Sequence, residues 1–176
     1  QKNDEHITLI DVDEFHIQSR AKFIKRKWEE ICLEEKFDVI LASHIWGHFV
    51  YTKTAQFAFK KMLEHLGKRG KLVICHNINE GLLEKLIAYS KELFSSFQYD
   101  CFDDRLMSGL HKKEIFFTVT LTSDTFQNLS QLVQVLIIVP DKEFEKKEKE
   151  IEAFLRRNLE NPELVIKQKV LIISKV

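Results

Sequence analysis

The chain has 176 residues, enough for one domain with a sizeable core. Hydrophobic residues make up 44% and charged residues 31%, an ordinary soluble globular balance rather than that of a disordered segment. Lys plus Arg equals Asp plus Glu at 27 each, so bulk charge gives no support for nucleic acid or an anionic membrane as partner.

In chain order, Ile7–Asp11 (ITLID) is an apolar run closed by an acid and reads as a buried strand. Glu14–Arg20 has room for a short helix, and Lys22–Lys25 for a second strand around Phe23 and Ile24. Trp28–Glu35 reads as one helical turn or a loop. Phe37–Ser43 (FDVILAS) is the clearest strand, and its unbroken apolar centre predicts burial on both faces, as in parallel sheets. Thr54–Leu66 carries Phe57, Phe59, Met62, Leu63 and Leu66 at helical spacing, with Gly67 and Gly70 expected as turn or C-cap residues. Lys71–Cys75 is the next buried strand, and Gly81–Phe97 the next helix.

Tyr99–His111 is polar and irregular, so a loop or lid is expected there. Glu114–Leu121 (EIFFTVTL) is β-branched and aromatic, and predicts a strand. Phe126–Val139 reads as a helix, although Val135–Val139 alone has strand composition. Lys142–Asn158 predicts a charged amphipathic helix with Phe144, Ile151, Phe154 and Leu155 inward. Asn161–Pro162 ends it, and Val165–Ser174 closes the chain as a long strand. Strands alternating with helices imply an α/β domain with helices on both sides of a sheet.

Cys32, Cys75 and Cys101 are widely spaced and form no CxxC pair, so a disulfide framework is not expected and a reducing, cytoplasmic compartment fits. The apolar run from Leu132 to Val139 is too short to span a bilayer. No Ser–His–Asp order or phosphate-binding P-loop occurs.

The segment FDVILASHIWGHF, Phe37–Phe49, resembles the fourth-strand motif of class I S-adenosylmethionine-dependent methyltransferases. Downstream, Leu66–Ile74 (LGKRGKLVI) resembles that family's entry into its fifth strand, and Leu9–Asp13 (LIDVD) resembles the end of its second. The layout of the last third is similar to small-molecule N-methyltransferases of the histamine methyltransferase type. The resemblance implies a Rossmann-like, mostly parallel sheet with an antiparallel last strand and S-adenosylmethionine as cofactor. It implies a small molecule or amine as methyl acceptor, with no nucleic-acid or membrane partner.

The family's glycine-rich loop after its first strand is not found, and the five glycines are scattered. The chain also begins with Gln1 rather than Met. The expectation is therefore a single methyltransferase-like domain over residues 1–176, read as a carboxy-terminal portion whose first strand lies outside this sequence. If the chain is complete, the alternative is a catalytically silent domain serving as a binding or scaffolding module.

Ligands of open α/β sheets bind beyond the carboxyl ends of the strands. That geometry together with the resemblance nominates Asp11 for the ribose hydroxyls, and Ser43 and His44 for the cofactor edge. Lys27 and Trp28 stand where the family often holds an acid for adenine; Lys27 cannot accept that hydrogen bond, whereas Trp28 could stack on the base. His48 is the candidate for taking a proton from the methyl acceptor, and Trp46 and Tyr51 for lining its pocket. Each has a plainer reading beside it: a strand-end cap for Asp11, backbone-satisfied imidazoles for the histidines, packing for the aromatics. His44 and His48 are four apart, but no intervening Glu or third ligand supports a zinc site.

Overall fold

The computed structural model describes residues 8–11, 22–25, 28–46, 49, 53–99, 104–107, 109–134 and 136–174. Strands β1 (Thr8–Asp11) and β2 (Lys22–Lys25) pair in parallel as a two-stranded sheet. A four-stranded sheet follows, built from β3 (Phe37–Ser43), β4 (Leu66–Asn77), β6 (Lys112–Thr122) and β8 (Glu163–Ser174) in the order β3-β4-β8-β6. The pair β3–β4 is parallel, and β8 is antiparallel to both neighbours. All strands of this sheet except the last one therefore run the same way, as expected. The short strands β5 (Gln98–Tyr99) and β7 (Ile137–Ile138) form a small antiparallel ribbon.

Four helices lie wholly among the described residues: α1 (Ala55–His65), α2 (Gly81–Leu93), α3 (Phe126–Gln134) and α4 (Asp141–Asn158). Trp28–Glu30 and Asp104–Met107 form 3-10 turns. The possible helix over Glu14–Arg20 lies outside the described residues. The apolar tail of the expected Phe126–Val139 helix instead supplies β7, because Ile137 is fully buried in a strand pairing rather than on a helical face.

Burial along β8 explains how one sheet carries helices on both sides. Leu164, Ile166 and Gln168 are buried, then the alternation changes phase and Leu171 and Ile173 are buried instead. Pairing with β6 is unbroken across that point, so the two sets lie on opposite faces. Leu164 and Ile166 of the first set pack with Leu83 and Leu86 of α2, Leu129 of α3, and Phe144 and Ile151 of α4. The second packs with Leu72 and Ile74 of β4 and with Ala58, Phe59 and Met62 of α1. The inward positions expected of the charged helix, Phe144, Ile151, Phe154 and Leu155, are all buried.

Two expectations are corrected. The unbroken apolar run of β3 is covered on one face only: Ala42 is buried against α1, whereas Val39 is 58% exposed and Leu41 67% exposed on the other. Apolar composition alone does not distinguish a strand covered twice from one covered once. Gly67 and Gly70 do not cap α1, which passes into β4 through an extended Leu66. They lie in an irregular stretch where the register jumps from Phe37↔Leu66 to Val39↔Lys71. A Cβ at Gly70 would stand 2.8 Å from the Phe37 carbonyl oxygen and 2.9 Å from Leu66 Cβ, whereas one at Gly67 would meet nothing nearer than 3.6 Å. Gly70→Ala should therefore destabilise the protein by about 1–3 kcal/mol, the usual range for overpacking. Gly67→Ala is the control, and equal urea midpoints for the two variants would contradict this reading.

Glu143, in the first turn of α4, ties that helix to the end of α2. It accepts hydrogen bonds from Ser95 N (2.8 Å), Ser95 Oγ (3.0 Å) and Ser96 Oγ. The hydrogen bond from the Ser96 hydroxyl, and after it those from the Ser95 hydroxyl and N–H, hold the carboxyl below the ordinary glutamate value of 4.5. A carboxylate depressed in the folded state stabilises above its unfolded pKa, and that contribution fades as pH falls through the lower folded value. Glu143→Gln should therefore flatten the acid side of the stability profile. An unchanged slope below the ordinary carboxylate range would contradict the assignment.

Candidate functional site

The parallel strand β3 ends at Ser43 opposite Cys75 while β4 runs on to Asn77, so their carboxyl ends carry Ser43, His44, Cys75, His76 and Asn77. His44 N donates to Cys75 O at 2.9 Å, the last ladder bond before β3 leaves the sheet. The chain then turns outward through His44 at φ 54, a left-handed conformation that histidine adopts more readily than most residues. Both Ser43 and His44 are exposed as a result.

The antiparallel strand β8 brings a residue that the sequence reading did not nominate. Asn77 pairs in register with Gln168, so the two side chains share a face. Gln168 Nε2 donates to Asn77 Oδ1 at 2.9 Å and lies 3.4 Å from His44 Nε2. The Cys75 thiol donates to Gln168 Oε1 at 3.7 Å and also lies 3.7 Å from His44 Nε2. His76 Nδ1 sits 3.0 Å from the Asn77 carbonyl oxygen. One exposed imidazole is thus held against a largely buried group of a thiol and two carboxamides. The signal for Gln168 was present, a lone carboxamide at a buried position of the otherwise alternating segment Leu164–Gln168.

The remaining nominated residues fare differently. Asp11 ends β1 opposite Lys25, and among the described residues no strand pairing joins that sheet to β3. Trp28 is half-buried against α1: its Nε1 donates to Ala58 O at 3.3 Å and its ring meets His65 edge-on at 5.7 Å. Lys61 Nζ adds a bond to Trp28 O at 3.0 Å. Trp46 is fully buried, with its ring edge-on to Phe49 at 5.4 Å and tilted against Phe59 at 6.1 Å. Packing, rather than an open pocket wall, is what this indole provides. Lys27, His48 and Tyr51 lie outside the described residues. Among the described residues no group of three His, Cys, Asp or Glu could hold a metal, and no helix is long and apolar enough to cross a membrane.

No protein-family model matches the chain, and no curated protein matches it in sequence. Solved structures do match it in three dimensions. A cyclopropane-fatty-acyl-phospholipid synthase-like protein from Lactobacillus casei ATCC 334 aligns with a TM-score of 0.60 at 10% identity, over 96% of this chain and 75% of that one. A candidate methyltransferase from Bacillus halodurans C-125 aligns with a TM-score of 0.56 at 12% identity, over 97% and 83%. The N-methyltransferase NodS from Bradyrhizobium japonicum WM9, in complex with S-adenosyl-L-homocysteine, aligns with a TM-score of 0.50 at 10% identity, over 97% and 67%. At these identities the likeness is one of fold, and the chain has the Rossmann-like α/β fold of class I methyltransferases.

Proposed function

We propose that the protein is an S-adenosylmethionine-dependent methyltransferase acting on a small molecule or amine. The observation that carries this reading is the exposed pair Ser43–His44, turned out of the sheet at the shared carboxyl end of two parallel strands. Open α/β sheets bind ligands at this end, and NodS, of similar fold, was crystallised with S-adenosyl-L-homocysteine. The donor set suits the cofactor: a carboxylate at the end of β1, a hydroxyl at the end of β3 and an imidazole just beyond it.

Bound S-adenosylmethionine supplies a methyl group on a positively charged sulfur, open to in-line displacement. The protein's task is then chiefly to hold the acceptor in line and keep water out, so orientation provides much of the rate. Asp11 accepts the two ribose hydroxyls, and Ser43 and His44 border the cofactor. His48 takes the proton that an amine or hydroxyl acceptor loses, with Tyr51 beside the acceptor. Lys27 and Trp28 stand on the adenine side, where Trp28 is already tied to α1. Trp46 supports the site from the core.

The test is transfer of labelled methyl from S-adenosylmethionine to a panel of small amines. His48→Ala should lower turnover about 10²- to 10⁴-fold, the usual contribution of a positioned general base, with cofactor affinity preserved. Equal turnover in wild type and His48→Ala would remove His48 from the chemistry. Cofactor binding without transfer to any acceptor would favour the silent binding module.

A further inference from the structure

The carboxamide of Gln168 has directional partners on both of its atoms. Its oxygen receives the Cys75 thiol at 3.7 Å, and its nitrogen donates to Asn77 Oδ1 at 2.9 Å. The second N–H of that nitrogen faces His44 Nε2 at 3.4 Å. An amide nitrogen only donates, so its bond to the imidazole needs the lone pair on Nε2; the competing arrangement, Nε2–H donating to Cys75 Sγ at 3.7 Å, would leave that amide N–H without an acceptor. In a neutral imidazole the proton then resides on Nδ1. Gln168 is 9% exposed and Asn77 6%, so neither amide can exchange its partners for water without leaving polar atoms unsatisfied.

We propose that Gln168 is a positioning residue that holds His44 as the Nδ1–H tautomer. His44 therefore offers a bound ligand a hydrogen-bond donor, and its lone pair stays turned inward toward Cys75 and Gln168. The group it would receive is an acceptor oxygen, a carboxylate or carbonyl, on whatever occupies the carboxyl end of the sheet. That last step rests on the methyltransferase reading and sharpens it: His44 recognises, and proton removal falls to His48. The tautomer assignment rests on contacts within the protein and needs no ligand.

Long-range 1H–15N spectra of the ligand-free protein, at a pH where imidazole is neutral, test it directly. Wild-type His44 should show predominantly the Nδ1–H pattern, the reverse of the ordinary preference of an exposed histidine. Gln168→Glu replaces the donor with a carboxylate that only accepts, and should invert the ratio toward Nε2–H. Gln168→Met, close in shape and without a donor, should return His44 to the ordinary preference and covers the case in which the buried carboxylate unfolds the chain. Predominant Nε2–H in the wild type, or an unchanged ratio in a folded variant, would overturn the proposal. Titration with S-adenosylhomocysteine is a separate measurement, so failure of cofactor binding leaves the tautomer result standing.

Discussion

Trp46→Ala should destabilise the protein by about 3–5 kcal/mol, the range for removing a large aromatic from a packed core. The indole is 0% exposed and sits between Phe49 and Phe59, next to the layer formed by Leu72, Ile74, Leu171 and Ile173. Truncation removes its burial and leaves a cavity that three separate elements cannot close together. Single domains have roughly 5–15 kcal/mol in total, so a large part of the stability is at stake. Urea unfolding measures it. A loss below about 1 kcal/mol would mean that the ring faces an open space, as a substrate-pocket role requires.

Asp11→Ala should weaken S-adenosylhomocysteine binding roughly tenfold to a hundredfold, with little change in the unfolding midpoint. A carboxylate accepting hydroxyl hydrogens makes charge-assisted bonds worth about 1.5–3 kcal/mol. Asp11→Asn keeps the shape and loses the charge, so its affinity should fall between the two. The unfolding midpoint separates this effect from damage to the β1–β2 pair, which uses the Asp11 backbone opposite Lys25. Unchanged affinity in Asp11→Ala would remove the residue from the site.

The order of the longer strands and helices was legible because each carried its own local pattern, whereas the two-residue strands β5 and β7 were not. FDVILAS and KLVIC are too short for helices, VIKQKVLIIS is rich in β-branched residues, and the repeating inward residues of α4 are too widely spaced for a strand. Exposure of Val39 and Leu41 was not legible, since it depends on which partners lie over β3. Nor was the irregular entry to β4: glycines after a helix suggest a cap, and only the close approach of Gly70 to Phe37 shows why the small residue is needed.

The candidate site was legible in part for a similar reason. Ser43 and His44 follow an obvious strand, so a strand-end argument finds them. Cys75, Asn77 and Gln168 join them through pairing of β4 with β8, between residues 91 positions apart for Asn77 and Gln168. Trp28 and Trp46 look alike in sequence as aromatics near strand ends. Their packing against Ala58 and Phe59 of α1 separates them from the exposed pair.

The most direct test of the account is calorimetric titration of the protein with S-adenosylhomocysteine. Saturable heat at one site per chain is expected, weakened by Asp11→Ala and accompanied by a thermal shift that grows with ligand concentration. No heat and no thermal shift at millimolar ligand would contradict the methyltransferase reading, leaving a chain with the fold and no cofactor.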